Sequence, residues 1–168
     1  MIKLMIVDDE AGIRKGLRHY VDWSTWDIQL AAEAENGVEA FQKAIRTQPD
    51  ILLSDIRMPG KDGIQLAREL KEVLPSLRVI LLTGYNETQY LQDALKIGVK
   101  DYLLKPAGVE NIVESVLKVK KEIMSERSRY LENMSKDALL NEGIPILQMH
   151  FLGDLIQGRL TNEEAAKG

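Results

Sequence analysis

Side chains that can do chemistry follow four short apolar runs of this sequence, at the point where each run ends. A continuous apolar run is typical of a buried strand in a parallel sheet, and in such sheets ligands and chemistry lie at the carboxyl edge of the strands. We therefore expect three acids, a hydroxyl and an amine to meet at one edge of one sheet. These are Asp8 and Asp9 after residues 4–7, Asp55 at the end of residues 51–55, Thr83 after residues 79–82, and Lys105 after residues 102–104.

This set of side chains suits magnesium-dependent phosphoryl transfer to a carboxylate. Three crowded carboxylates repel one another, which raises their pKa values unless a cation lies among them. Oxygen donors with no His or Cys nearby favour a hard divalent cation, and Mg²⁺ in particular shares its coordination shell with phosphate. A carboxylate can itself be the nucleophile and form an aspartyl phosphate. Lys105 would then add positive charge, and the Thr83 hydroxyl would donate to a phosphoryl oxygen.

Strands and helices alternate five times along the first part of the chain. Hydrophobic patterning predicts strands over residues 3–7, 28–34, 51–55, 78–82 and 101–104, and helices over residues 11–21, 37–47, 63–73, 87–97 and from 109 onward. This alternation predicts an α/β fold with a parallel sheet that is covered on both faces through right-handed crossovers. Asp9 is the predicted N-cap of the first helix, and Ile13, Leu17 and Tyr20 are its predicted inward face.

The fifth helix continues well past the length that a single domain needs. Residues 109–140 contain neither Gly nor Pro, so the helix would extend about 48 Å at 1.5 Å per residue. Four residues spaced by seven favour pairing with another helix as a coiled coil, and an amphipathic linker is the alternative. They are Leu117, Met124, Leu131 and Ala138. We expect residues 141–145, which include a Gly and a Pro, to interrupt this helix.

The composition excludes several classes of function. The 168 residues carry a net charge of −4 and a pI of about 5.3, so no overall basic field favours nucleic acid. The chain has no cysteine, which excludes disulfides, thiolate metal sites and thiol catalysis. It contains no apolar run near the ~18 residues that a membrane span needs, and no signal-peptide pattern. We therefore expect a cytoplasmic protein without a membrane partner.

Four motifs resemble the response-regulator receiver domain of bacterial two-component signalling. They are residues 7–10 (VDDE), 54–63 (SDIRMPGKDG), 82–84 (LTG) and 98–106 (GVKDYLLKP). The resemblance covers roughly the first 120 residues, a usual size for one domain. It implies a flavodoxin-like (βα)5 fold, which is a doubly wound parallel sheet with strand order 2-1-3-4-5. Here an extended C-terminal helix would follow that fold.

The resemblance also implies a role for each residue of the predicted site. Asp55 would accept a phosphoryl group from a sensor histidine kinase, and Lys105 would pair with that group or with Asp55 itself. Mg²⁺ would be held by Asp8, Asp9, Asp55 and the backbone carbonyl of Arg57. A chain of this kind is expected to be a signalling module and not an enzyme.

The resemblance further implies a switch next to the site. The Thr83 hydroxyl would move toward the phosphoryl group and the Tyr102 ring would turn inward, which would remodel the face made by the fourth helix, the fifth strand and the fifth helix. The Lys105–Pro106 peptide bond is expected to be cis, since only an X–Pro bond adopts this form at modest cost. Tyr85 is expected to slow the loss of phosphate by obstructing the attacking water.

The resemblance divides the chain into three parts. Residues 1–121 would form the receiver domain, residues 122–142 a helical linker that continues the fifth helix, and residues 143–168 the truncated start of a further helical region. The linker resembles the connecting region of regulators with an arabinose-regulator-type helix-turn-helix output domain, which would contact DNA and lie outside this sequence. We expect a homodimer that forms through the switch face or through the long helix.

Two other protein classes share part of this pattern. A haloacid-dehalogenase-type phosphatase also forms an aspartyl phosphate on an α/β sheet, but its nucleophile follows the first strand with a second acid two residues later. A flavodoxin relative would need a phosphate-binding Ser/Thr/Gly loop after the first strand, where this sequence has Asp8-Asp9-Glu10. His19 and His150 are candidate phosphorelay residues, but their apolar and aromatic neighbours favour ordinary packing.

Overall fold

The computed structural model describes residues 1–84 and 88–165, apart from the side chains of Thr88 and of residues 142–165. Five parallel strands form one sheet in the order β2-β1-β3-β4-β5, which confirms the predicted fold class and strand order. The strands are β1 (Ile2–Val7), β2 (Ile28–Ala34), β3 (Ile51–Asp55), β4 (Arg78–Thr83) and β5 (Asp101–Leu104). The helices are α1 (Ala11–His19), α2 (Gly37–Thr47), α3 (Gly63–Val73), α4 (Thr88–Ile97) and α5 (Val109–Ala165).

Successive residues of the central strands point to opposite faces of the sheet and enter two apolar layers. Met5 and Leu52 belong to a core cluster that also contains Leu66 of α3. Their neighbours Leu4 and Leu53 lie on the other face and are just as fully buried. Both faces of the sheet are therefore covered, as continuous apolar strand sequences predict.

Helix α1 begins after Glu10 and not after Asp9. The backbone of Glu10 is extended (φ −81°, ψ 106°), and its side chain makes no capping hydrogen bond. The Glu10 N–H donates to Asp8 Oδ1 over 2.9 Å. The prediction that Asp9 caps this helix is therefore wrong, because the Asp8 carboxylate closes the turn that leads into it.

Helix α1 ends at His19, two residues before the predicted end at Val21. The next element is a 3₁₀ turn over Trp23–Trp26, which the sequence pattern did not predict. Trp23 Nε1 donates to Leu17 O over 2.9 Å and so satisfies one of the carbonyls that a helix end leaves without a partner. Tyr20 is 86% exposed, so its prediction as an inward-facing residue is wrong.

Helix α5 runs from Val109 to Ala165 without a break, so the predicted interruption at residues 141–145 is wrong. Gly and Pro cost about 1 and 3 kcal/mol inside a helix, and long helical flanks can outweigh such a local penalty because each further residue adds a hydrogen bond. Among the described residues, no helix combines the length and the apolar character needed to cross a bilayer. The chain divides into two compact units, Met1–Glu122 and Ile123–Gly168.

Candidate functional site

The carboxyl edge of the sheet brings together acids from two separated parts of the chain. The parallel register places the ends of β1, β3, β4 and β5 next to one another. Asp8, Asp9 and Asp55 each offer a carboxylate oxygen, and these atoms all lie within 4.8 Å of one another. Asp8 and Asp55 are 0% and 5% exposed, whereas Asp9 is open to solvent. The three predicted acids therefore form one cluster with a buried floor and an exposed rim.

Lys105 lies between the two buried acids. Its Nζ donates to Asp8 Oδ2 over 3.1 Å and to Asp55 Oδ2 over 2.9 Å, and Glu10 Oε1 lies 3.7 Å from the same atom. The Lys105–Pro106 peptide bond is cis. The Lys105 ammonium group therefore lies next to both buried carboxylates and offsets part of their negative charge.

The two buried acids are short of positive charge even with this lysine in place. Burial is the largest influence on both, and it raises the pKa of Asp8 and of Asp55. Hydrogen bonds from Lys105 and from the backbone N–H groups of Glu10 and Arg57 oppose part of the rise. Burial also disfavours the charge on Lys105, but its hydrogen bonds to Asp55 and Asp8 outweigh that effect and raise the pKa of the lysine.

Thr83 and Tyr102 form a hydrogen-bonded pair on the neighbouring strands β4 and β5. Tyr102 Oη donates to Thr83 Oγ1 over 3.1 Å, and the Thr83 hydroxyl in turn donates to Gly84 O over 3.3 Å. The Lys105 N–H donates to Thr83 O over 2.6 Å, which ties this pair to the lysine of the acid cluster. Thr83 is fully buried and Tyr102 is half-buried against the core cluster, so a move of the Thr83 hydroxyl would change the contacts of Tyr102.

The loop between β3 and α3 is fixed by two close approaches of backbone to glycine. A Cβ atom on Gly63 would overlap the carbonyl oxygen of Asp55, and a Cβ atom on Gly37 would lie 2.5 Å from the carbonyl oxygen of Lys61. Within this loop the Arg57 N–H donates to the Asp55 carboxylate, while the Arg57 side chain is exposed. The loop therefore keeps the Arg57 backbone next to the acids.

The donor set fits a hard divalent cation. Asp8, Asp9 and Asp55 offer only oxygen atoms, and these lie close enough together to share one ion. The raised pKa values of Asp8 and Asp55 show that the buried floor of the cluster would gain from added positive charge. Oxygen-only ligation of this kind favours Mg²⁺ over metals that prefer nitrogen or sulfur.

Two charged residues contact the site although the sequence analysis gave neither of them a role in it. Glu10 Oε1 lies 3.7 Å from Lys105 Nζ, and Arg14 Nη1 donates to the carbonyl oxygen of Asp8 over 2.6 Å. Glu10 could have been found, because it directly follows the two acids at the end of β1. Arg14 carries no such signal, since its contact depends on how α1 packs beside that strand.

Of three other residues that the sequence singled out, only one can be placed. Tyr85 lies outside the described residues, and so does the side chain of His150. His19 is exposed on α1, with its Nε2 atom 3.4 Å from Arg18 Nη2. The expectation that His19 is packed among apolar neighbours is therefore wrong, because the helix ends at this residue and leaves it on the surface.

Comparison with curated proteins gives relatives along most of the chain. It is 34% identical over 158 residues to the transcriptional regulatory protein YesN of Bacillus subtilis, which covers 94% of this chain and 42% of YesN. It is 36% identical over 121 residues to the chemotaxis protein CheY of Listeria monocytogenes, which covers 72% of this chain and 100% of CheY. The chain spans about half the length of the regulators YesN and LnrK that it matches, namely 42% and 54%.

Solved structures and family models agree with these relatives. The receiver domain of AraT, a response regulator from Geobacillus stearothermophilus, is 42% identical with a TM-score of 0.70, and the match covers 75% of this chain and 98% of that domain. A two-component transcriptional regulator AraC from Clostridium phytofermentans is 28% identical with a TM-score of 0.68, over 77% of this chain and 99% of that one. Residues 4–117 match the model described as the response regulator receiver domain. With that match over more than half of its length, the chain belongs to the response regulator receiver domain family.

Proposed function

We propose that this receiver domain accepts a phosphoryl group on Asp55 from a sensor histidine kinase and thereby controls an output domain that regulates transcription. The observation that carries the proposal is the position of Lys105 Nζ, which lies 3.1 Å from Asp8 Oδ2 and 2.9 Å from Asp55 Oδ2. A carboxylate can attack phosphorus directly, and such a transfer needs mainly positioning and neutralisation of charge. The cluster offers both, and membership of the family supports the same function.

The proposed magnesium ligands are Asp8, Asp9, Asp55 and the backbone carbonyl of Arg57. When bound, Mg²⁺ supplies two positive charges that offset the carboxylates and the oxygens of the incoming phosphoryl group. The convergence of three carboxylate oxygens within 4.8 Å supports this assignment. The raised pKa of Asp8 supports it as well, because a cation at this place would favour the ionised form.

In the proposed transfer, a carboxylate oxygen of Asp55 forms a bond to phosphorus while the bond between phosphorus and the histidine nitrogen of the kinase breaks. The electron pair of that bond leaves with the imidazole nitrogen, which then takes up a proton. Lys105 now pairs with Asp55 Oδ2 and would afterwards pair with a phosphoryl oxygen. Its ammonium group has three donors, so it can keep the contact with Asp8 throughout.

The proposed switch uses the pair formed by Thr83 and Tyr102. Attraction of the Thr83 hydroxyl to the phosphoryl group would change its contact with Tyr102 Oη, which is 3.1 Å long before phosphorylation. The Tyr102 ring would then turn toward the core and change the surface formed by α4, β5 and the start of α5. Phosphorylation would thus shift an equilibrium between two conformations through contacts that it makes in only one of them.

The proposed output is control of transcription in the cytoplasm by a DNA-binding domain that is joined to the receiver in a longer polypeptide. The regulators that this chain resembles over about half of their length support that arrangement. We also propose a homodimer that forms through the face of α4, β5 and α5 or through the later turns of α5. Nothing in the matched family or in the relatives described above supports the dehalogenase-type phosphatase.

The proposal is tested by the mass of the purified chain after incubation with acetyl phosphate, with and without Mg²⁺. We expect the mass of one phosphoryl group to be added only when Mg²⁺ is present, and to be absent in Asp55→Asn. Asp93→Asn is the matched control, because it removes an acid of α4 that lies outside the cluster. The same preparations are then offered a radiolabelled phosphohistidine kinase domain as donor.

Two results would contradict this proposal. Phosphorylation of Asp55→Asn at the wild-type level would place the acceptor elsewhere, and transfer that does not depend on Mg²⁺ would remove the role of the acid cluster. Steady turnover of a phosphate ester, without accumulation of phosphorylated chain, would instead support the phosphatase.

A further inference from the structure

One lysine anchors the loop after β3 to two helices at once. Lys61 Nζ forms an ion pair with Glu69 of α3 and also lies 4.9 Å from the centroid of the Phe41 ring of α2. Only 19% of the Lys61 side chain is exposed. The Glu69 side chain is 35% exposed, so water screens the ion pair in part, and the cation–π contact with Phe41 adds to it.

The partner carboxylate is itself held in place. Gln65 Nε2 donates to Glu69 Oε1 over 3.0 Å, one helical turn away, which leaves Oε2 for Lys61. The hydrogen bond from Lys61 is the largest influence on this carboxylate and lowers the pKa of Glu69. The Glu69 carboxylate is therefore ionised at neutral pH, and its Oε2 atom is held at one defined point on α3.

The backbone of the same loop is fixed at both of its ends. At the start, the Ile56 N–H donates to Leu82 O over 3.0 Å. At the end, Lys61 O packs against Gly37 closely enough that a Cβ atom there would lie 2.5 Å away, and Asp62 caps α3. Residues 57–60 therefore form a short span between two anchors, and the Arg57 peptide belongs to this span.

We propose that Lys61 is a positioning residue of the magnesium site. By tying the loop to α2 and α3, its side chain keeps the Arg57 peptide beside Asp55, where the Arg57 N–H contacts the carboxylate and the Arg57 carbonyl is a proposed ligand. This inference rests on the proposed function of the acid cluster as a Mg²⁺ site. Lys61 is not itself one of the proposed Mg²⁺ ligands.

The test is the Mg²⁺ affinity of the full chain, measured by titration calorimetry for wild type and four variants. Lys61→Met keeps an unbranched stem over Phe41 but loses the charge, and we expect it to weaken binding about tenfold, the lower end of what residues behind the ligands contribute. Lys61→Arg keeps the charge and can stack on the ring, so it should remain within about twofold of wild type. Glu69→Gln should weaken Mg²⁺ binding as Lys61→Met does. Glu72 is an exposed acid on the same helix, and Glu72→Gln should leave Mg²⁺ binding unchanged.

Urea unfolding of each variant separates positioning from loss of stability, and the magnesium dependence of phosphorylation gives a second readout. We expect Lys61→Met to need more Mg²⁺ for half-maximal phosphorylation but to reach the wild-type rate at saturation. Should Lys61→Met fail to fold, Glu69→Gln breaks the same ion pair and takes its place in the comparison.

The outcomes separate this inference from the proposed function. Wild-type affinity in Lys61→Met, or equal losses in Lys61→Met and Lys61→Arg, would overturn the role of the lysine while leaving the magnesium site in place. A wild-type chain that binds no Mg²⁺ at all would overturn both.

Discussion

The two buried acids, Asp8 and Asp55, lower the stability of the folded chain when they are ionised. Burial raises the pKa of Asp8 and of Asp55, so each carboxylate is harder to ionise in the folded chain than in the unfolded chain. Lys105 offsets only part of this cost, since the pKa values are raised even with the lysine in hydrogen-bonding distance. Such an excess of negative charge is typical of a cation-binding site, and functional sites of this kind commonly lower the stability of the fold.

The first prediction concerns Asp8→Asn in the absence of divalent cations. A raised pKa means that the acid stabilises the fold below its unfolded pKa, and that this contribution is lost as the pH rises through the folded pKa. At neutral pH the ionised Asp8 therefore lowers the free energy of unfolding. Asn has the same size and can still accept from the Glu10 N–H, so Asp8→Asn should raise the free energy of unfolding at pH 7.

Urea unfolding with EDTA between pH 4 and pH 7 measures this effect. The advantage of Asp8→Asn should shrink as the pH falls toward the ordinary value of 3.8, while Asp93→Asn should show little change at any pH. A variant that is less stable than wild type at pH 7, or an advantage that does not depend on pH, would contradict the prediction. Saturating Mg²⁺ should favour wild type, since only the intact cluster gains from ligand binding.

The convergence of the site residues was predictable wherever a side chain ends a strand or directly follows one. Asp8, Asp55 and Lys105 are of this kind, because parallel strand ends must meet at one edge of the sheet. Arg14 and Lys61 could not be predicted, because their contacts depend on how α1, α2 and α3 lie against that edge. No spacing in the sequence encodes such packing between elements that are far apart along the chain.

At the scale of the elements, the start of a helix can be predicted from the sequence where a local capping side chain marks it. Helices α2 and α3 have the predicted bounds, and in both the residue before the helix accepts from a backbone N–H in the first turn. Asn36 accepts from the Glu39 N–H over 2.8 Å, and Asp62 accepts from the Gln65 N–H over 2.7 Å. The end of α1 was mispredicted because a tryptophan of the following 3₁₀ turn completes it, a tertiary contact that the helical pattern does not contain.

The second prediction concerns Gly63, the first residue of α3. A Cβ atom there would overlap the carbonyl oxygen of Asp55, and this backbone belongs to a buried strand that cannot move without disturbing the sheet. Gly63→Ala should therefore lower the free energy of unfolding by about 1–3 kcal/mol, the usual cost of overpacking. It should also weaken Mg²⁺ binding, because the displaced strand end carries Asp55.

Gly12→Ala in α1 is the matched control for Gly63→Ala. Within the described part of the chain, a Cβ atom on Gly12 meets no other atom within 4 Å, and Ala is favoured over Gly inside a helix by about 1 kcal/mol. Gly12→Ala should therefore be neutral or stabilising in the same urea experiment. Equal stability of Gly63→Ala and Gly12→Ala would show that the strand end can yield, and would remove the steric argument.

At the scale of the whole molecule, two separate surfaces carry exposed apolar side chains that a dimer could cover. On the unit Met1–Glu122, Leu91 and Leu95 of α4 are 40% and 68% exposed, and Leu104 of β5 is 57% exposed. On the unit Ile123–Gly168, Leu131 and Met134 of α5 are 63% and 51% exposed. Leu131 belongs to the seven-residue spacing of the sequence, and Met134 lies three residues further along, on the same side of the helix. Packing of such an apolar face supplies most of the stability of a helix in a protein.

The third prediction separates these surfaces by the oligomeric state of the purified chain. If the later turns of α5 pair with a second copy, Leu131→Lys should weaken the dimer at least tenfold, which is about 1.4 kcal/mol, because it replaces an apolar side chain of the seam with a charged one that would have to be buried. Asn133→Lys, on nearly the opposite side of the helix, should leave the dimer unchanged. Sedimentation velocity over a range of concentrations measures both, with Leu95→Lys as the probe of the other surface.

A dimer that is lost in Leu95→Lys but kept in Leu131→Lys would assign association to the face of α4, β5 and α5. In that case we expect the strength of the dimer to depend on phosphorylation of Asp55, since that face adjoins Thr83 and Tyr102, the residues of the proposed switch.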